Sequence, residues 1–88
     1  ERFEQLGCAQ YLMHRTGHNI GHRCHGIGAN LDDYETHDDR CLLPGTMFSI
    51  EPGLYTDKYG VRLEYDVHIT SEGETKVYGP VQDEILVI

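Results

Sequence analysis

Positive charge is scarce in this sequence. Seven Lys and Arg stand against fifteen Asp and Glu, a formal net charge of −8. That balance supplies no basic face for nucleic acid or an anionic membrane surface, and it suits a carboxylate-rich site that holds cations. Long apolar runs are missing too: nothing approaches the roughly 18 apolar residues of a membrane-spanning helix. Cys8, Cys24 and Cys41 are odd in number and form no Cys-x-x-Cys pair, so neither a disulfide framework nor a four-thiolate zinc site follows. The expected setting is reducing and cytoplasmic. Signal-peptide features, internal repeats and low-complexity segments are lacking. At 88 residues the chain amounts to one modest domain at most, and such a chain buries only about 60–65% of the surface its unfolded form exposes. It opens on Glu1-Arg2-Phe3-Glu4 in mid-pattern and closes on Ile85-Leu86-Val87-Ile88 without a polar tail. Both ends read as cuts, and we expect a fragment of a larger protein.

Residues 1–13 place Phe3, Leu6, Ala9, Leu12 and Met13 close to a helical stripe, although Gly7 weakens that helix by about 1 kcal/mol. Gly17, Gly21, Gly26 and Gly28 break the following histidine-rich stretch into turns and short extended pieces. Residues 29–45 form a polar, acidic loop ending in a Pro44-Gly45 turn. Thr46–Glu51 reads as a strand stopped by Pro52-Gly53. Val61–Thr70 alternates as one strand, with Val61, Leu63, Tyr65, Val67 and Ile69 on one face and Arg62, Glu64, Asp66 and His68 on the other. A turn at Ser71–Glu74 returns the chain through Thr75–Tyr78, and Gln82–Ile88 is a candidate last strand. One helix followed by antiparallel strands predicts an α+β fold.

Chemistry concentrates in His14, His18, His22 and His25, four histidines within twelve residues. His18 and His22 are four apart, the spacing of a helical HExxH zinc site. Residue 19, however, is Asn where that motif has its general-base Glu, and Gly17 and Gly21 disfavour a helix there. A second arrangement couples these histidines to Glu51, at the end of Met47-Phe48-Ser49-Ile50, and to Glu64, within Val61-Arg62-Leu63-Glu64-Tyr65. A charged side chain in an apolar strand is costly unless paired or bound to a cation. One imidazole with several carboxylates suits manganese, cobalt, iron or zinc better than a metal bound by thiolates.

Four segments then become familiar in order: Thr16-Gly17-His18-Asn19-Ile20-Gly21, His25-Gly26, Phe48-Ser49-Ile50-Glu51-Pro52-Gly53-Leu54-Tyr55, and Gly60-Val61-Arg62-Leu63-Glu64. Together they closely resemble the pita-bread metallopeptidases, the family of methionine aminopeptidase, aminopeptidase P, prolidase and creatinase. His14-Arg15-Thr16-Gly17-His18 and the Gly-Val-Arg-x-Glu strand look most like the Xaa-Pro peptidases.

The resemblance implies that residues 1–88 are the C-terminal half of a metallopeptidase catalytic domain, the second half of a pita-bread fold. It implies hydrolysis of a peptide bond near an N-terminus by a metal-activated water. Two divalent ions (manganese favoured over cobalt or zinc) would be held by His18, Glu51 and a bridging Glu64, with two further aspartates outside these residues. Glu51 would also act as general acid/base. His25 would contact substrate and steady the tetrahedral intermediate, while His14 and Arg62 would line the substrate site. Asp32, Asp33, Asp38 and Asp39 follow His18 and do not match the missing aspartates, which precede the histidine motif in the family. Gly26 and Tyr65 depart from acidic residues common in the family after the substrate histidine and the strand glutamate. The partners implied are a peptide substrate, the N-terminal half of the same protein and a second copy of the chain, without nucleic acid or membrane. Taken alone, the 88 residues are expected to be inactive, with Thr46–Ile50 and Val61–Ile69 exposed as unpaired sheet edges. The alternative is a non-catalytic pita-bread homologue serving as a binding module.

Overall fold

A computed structural model describes every residue from Glu1 to Ile88. The N-terminal segment does not form one helix. Helix α1 covers only Arg2–Gln5, and a 3₁₀ turn covers Ala9–Tyr11. Gly7 separates them with φ 69°, a left-handed conformation that glycine adopts freely and that ends a helix.

Six short strands follow: β1 (Asn19–Ile20), β2 (Met47–Ile50), β3 (Gly53–Tyr55), β4 (Gly60–Arg62), β5 (Tyr65–Ile69) and β6 (Thr75–Tyr78). The first sheet is antiparallel in the order β1-β2-β5-β6, and β3 pairs with β4 in a second. This mostly antiparallel arrangement with one N-terminal helical turn agrees with the expected fold class. Thr46–Ile50 and the Tyr65–Ile69 part of Val61–Ile69 are nevertheless not exposed edges, whereas β4 pairs with β3 alone and keeps one open edge. β2 lies between β1 and β5, and β5 lies between β2 and β6.

The stretch read as one strand, Val61–Thr70, is two strands separated by Leu63-Glu64. The cause lies in the partner chain. Pro52 has no amide hydrogen to offer a ladder, so pairing stops at Ile50↔Tyr65 and resumes at Gly53↔Arg62. The register is the same on both sides of the interruption. Continued through it, Glu51 faces Glu64 and Pro52 faces Leu63, and the Leu63 amide still donates to the Pro52 carbonyl at 3.4 Å. Pro52-Gly53 thus interrupts the strand without ending it.

The alternation over β5 does bury Val67, 2% exposed, but Val61 and Leu63 remain 50% and 40% exposed. Gln82–Ile88 forms no strand. The polar turn at Thr70–Glu74 forms as expected, with Gly73 at φ 84°. Eight of the 88 residues are buried, and five of them, Gly17, His18, Asn19, Ser49 and Gly53, cluster where the histidine segment crosses β2 and β3. The best-packed part of the chain is the part that carries the chemistry.

Candidate functional site

β1 brings His18 alongside β2. The His18 carbonyl accepts from the Ser49 amide at 2.9 Å, and the His18 amide donates to Ser49 Oγ at 3.1 Å. One residue earlier, Gly17 runs against the Ser49 carbonyl so closely that a Cβ would collide with it. The carboxylate of Asp32 accepts the amides of Thr16 and Gly17 and pins that approach from the other side. The acidic loop is therefore structural where it meets the site, and the sequence held no local sign of that role.

The His18 ring is fixed by its backbone neighbour. Nδ1 lies 3.0 Å from the Asn19 carbonyl, which can only accept, so Nδ1 carries the hydrogen. In the neutral ring, Nε2 then presents a lone pair, and it lies 3.1 Å from Glu51 Oε1. Two acceptors held at that distance by buried side chains require a positive charge between them, a proton or a metal ion. Imidazole oriented by a backbone carbonyl through its other nitrogen is the usual arrangement of a metal-binding histidine. Ser49 Oγ donates to the same Glu51 Oε1 at 3.0 Å, so one hydroxyl positions both groups.

Across the ladder break, Arg62 stands between the two carboxylates. Its guanidinium is 3.2 Å from Glu64 Oε2 and 4.0 Å from Glu51 Oε2. His18 and Glu51 are in direct contact, and Glu64 is one guanidinium away from joining them. Arg62 ends β4 and Glu64 lies in the break, so the two meet through their ion pair and not on one continuous strand face.

His14 donates from Nδ1 to the Arg15 carbonyl at 2.8 Å and receives the Tyr55 hydroxyl at Nε2 at 2.9 Å. Gly53 makes this pair possible, because a Cβ there would come within 2.7 Å of His14 Nε2 and the Tyr55 ring. The His25 ring lies against that of His18, with centroids 4.2 Å apart. His14, His18, His25, Glu51 and Arg62 line one cleft of about 430 Å³ that no hydrophobic side chain enters, joined by the Arg15–Glu35 ion pair at 2.7 Å. Of the expected site residues, only Glu64 lies outside the cleft lining. His22 also lies outside it.

Asn19 and Tyr55 carry more than the sequence suggested. The Asn19 amide donates from Nδ2 to the Met47 carbonyl at 3.1 Å and accepts the Gly28 amide at 3.0 Å. Gly26 and Gly28 press against that side chain, leaving no room for a Cβ. This explains Gly26 beside His25, since any larger residue would displace Asn19. Farther out, Asp38 anchors the loop: its carboxylate accepts from Arg40 at 2.8 Å and from the Asn30 amide at 3.0 Å. Chiefly the Arg40 guanidinium, and then the Asn30 amide, hold the Asp38 carboxyl well below the usual carboxylate range.

The model of metallopeptidase family M24 matches residues 1–71. A probable dipeptidase PepE of Mycobacterium tuberculosis is 39% identical over 75 residues, covering 83% of this chain and 19% of that protein. A putative dipeptidase YkvY of Bacillus subtilis is 36% identical over 74 residues, covering 80% of this chain and 18% of that protein. Among solved structures, dipeptidase PepE from Mycobacterium ulcerans superposes with a TM-score of 0.79 at 30% identity, over 96% of this chain and 22% of that one. An Xaa-Pro dipeptidase from Bacillus anthracis superposes with a TM-score of 0.74 at 32% identity, over 98% of this chain and 23% of that one. The chain spans about a fifth of the length of the relatives it matches.

Proposed function

The chain belongs to metallopeptidase family M24, and from that premise we propose that it forms part of a metal-dependent peptidase of the Xaa-Pro dipeptidase or aminopeptidase type. The observation that carries the reading is the opposed pair His18 Nε2 and Glu51 Oε1, 3.1 Å apart, with Glu64 across the ladder break. One imidazole and two carboxylates are a nitrogen and oxygen donor set, which fits hard or borderline divalent ions and favours manganese over softer metals. His18, Glu51 and Glu64 would hold such ions, with aspartates from outside these residues completing the set. Asp32 and Asp38 are engaged by backbone amides and Arg40.

Such ions, when bound by His18, Glu51 and Glu64, would supply Lewis-acid activation of water and offset charge on the scissile carbonyl oxygen. Glu51, kept in place by Ser49, takes the proton of the attacking water and delivers it to the leaving amine, a proline nitrogen in an Xaa-Pro substrate. His25, exposed at the cleft, hydrogen-bonds the carbonyl oxygen as charge develops there. Arg62 and His14 position the substrate, and the fork of Arg62 suits a peptide carboxylate as well as Glu64. Three free thiols support a reducing, cytoplasmic location.

Proline release from Xaa-Pro dipeptides, set beside dipeptides lacking proline, tests the reading in the full-length protein. The proposal predicts metal-dependent cleavage with preference for proline. Failure to cleave any peptide under every divalent metal would favour the binding-module alternative.

A further inference from the structure

We propose that His18, Cys24 and His25 form a second, softer cation site that takes zinc and shares His18 with the carboxylate site. One ligand atom from each of the three residues lies within 4.8 Å of the other two. The loop after β1 makes the cluster. The Gly21 amide donates to the Arg23 carbonyl at 3.1 Å and the Gly26 amide to the Asn19 carbonyl at 2.8 Å, which folds residues 21–26 back onto the strand. That fold sets the rings of His25 and His18 against each other and leaves Cys24 a free, exposed thiol beside them.

The donors differ in kind from those at Glu51 and Glu64. Two imidazoles and a thiol, with no carboxylate, match zinc bound through three protein ligands with an open fourth position. A thiolate also selects zinc over manganese, which prefers oxygen. Binding releases the Cys24 thiol proton to solvent as the sulfur–metal bond forms. His18 has only one nitrogen to give, since Nδ1 is committed to the Asn19 carbonyl. Zinc held by Cys24 and His25 therefore withdraws His18 from Glu51. The consequence is inhibition of a manganese-dependent activity by zinc. That consequence rests on the proposed function, while the site itself does not.

Cobalt(II) is the probe. Titrated into the full-length protein, it should give a thiolate-to-cobalt charge-transfer band in the near ultraviolet that is lost in Cys24→Ser and kept in Cys8→Ser and Cys41→Ser. Zinc affinity, measured by competition with a chromophoric chelator, should fall at least about tenfold in Cys24→Ser, the lower end of the loss seen for outer-shell partners alone. Cys24 is exposed, so this variant folds and keeps its manganese-supported activity while resisting zinc. Absence of the band, or a band unchanged in Cys24→Ser, overturns the inference. A protein without peptidase activity that still shows a Cys24-dependent band would refute the functional reading and leave this site standing. Manganese-dependent cleavage without the band would do the reverse.

Discussion

Glu51 and Glu64 face each other across a break in an otherwise continuous antiparallel register, with Arg62 reaching both carboxylates. Pro52 causes the break by withholding an amide, and the break frees both glutamates from the regular sheet at the point where β1 delivers His18. A local rule about one residue type thereby places three chemical groups.

Glu64 is half exposed, so Glu64→Gln should leave stability within about 0.5 kcal/mol. Its effect should fall on metal binding. We expect the full-length variant to hold less metal per chain than wild type and to lose about 10²-fold or more in turnover, as read by elemental analysis and peptide hydrolysis. Full metal content in the variant would remove Glu64 from the ligand set.

Ser49 is 1% exposed, and its hydroxyl serves both the His18 amide and Glu51. Ser49→Ala leaves a buried amide without a partner, a cost of about 1–3 kcal/mol. It also frees Glu51 to move, so metal affinity should drop by about 10–100-fold. Chemical denaturation and metal titration check the two effects separately.

Gly17→Ala should be worse tolerated than its size suggests. The added methyl meets the Ser49 carbonyl, which belongs to a central strand and cannot turn aside. Overpacking of this kind costs about 1–3 kcal/mol and would push His18 away from Glu51. Thermal unfolding of the variant, with and without metal, measures it.

Acid should loosen the loop over residues 30–40 through Asp38, whose side chain is 5% exposed. A carboxyl held below its ordinary value stabilises the fold fully above the unfolded value of 3.8, and that contribution is lost as pH falls toward the depressed folded value. Exchange of the Asn30 amide should therefore stay slow, relative to its intrinsic rate, near about pH 6 and lose protection below about pH 3. In Asp38→Asn the protection should be weak at both. His37 has the opposite sign: Asp33 raises its pKa, so that contribution is present below 6.5 and fades as pH rises.

The site was more legible in the sequence than the fold. The resemblance of four ordered motifs to the pita-bread metallopeptidases pointed to His18, Glu51, Glu64, Arg62, His14 and His25, and the structure places these residues near one another. The split of Val61–Thr70 was hidden because side-chain alternation has period two whichever strand is the partner, and the interruption originates in Pro52, on the facing strand. The first helix failed at Gly7, whose left-handed conformation outweighed the apolar stripe. Gln82–Ile88 has strand-like residues and forms no strand. Asn19 and Ser49 were passed over because their partners, Gly28 and Met47 for one and His18 for the other, are 9 to 31 residues distant. Polar residues that stitch backbone over such spans leave no local pattern.

The most direct test of the account is to strip the full-length protein of metal with a chelator, add manganese back, and follow proline release from an Xaa-Pro dipeptide in wild type and in Glu51→Gln. The account predicts that cleavage disappears with the metal, returns with manganese in wild type, and stays at least about 10²-fold lower in Glu51→Gln. Cleavage that survives complete metal removal, or that Glu51→Gln supports as well as wild type, would contradict it.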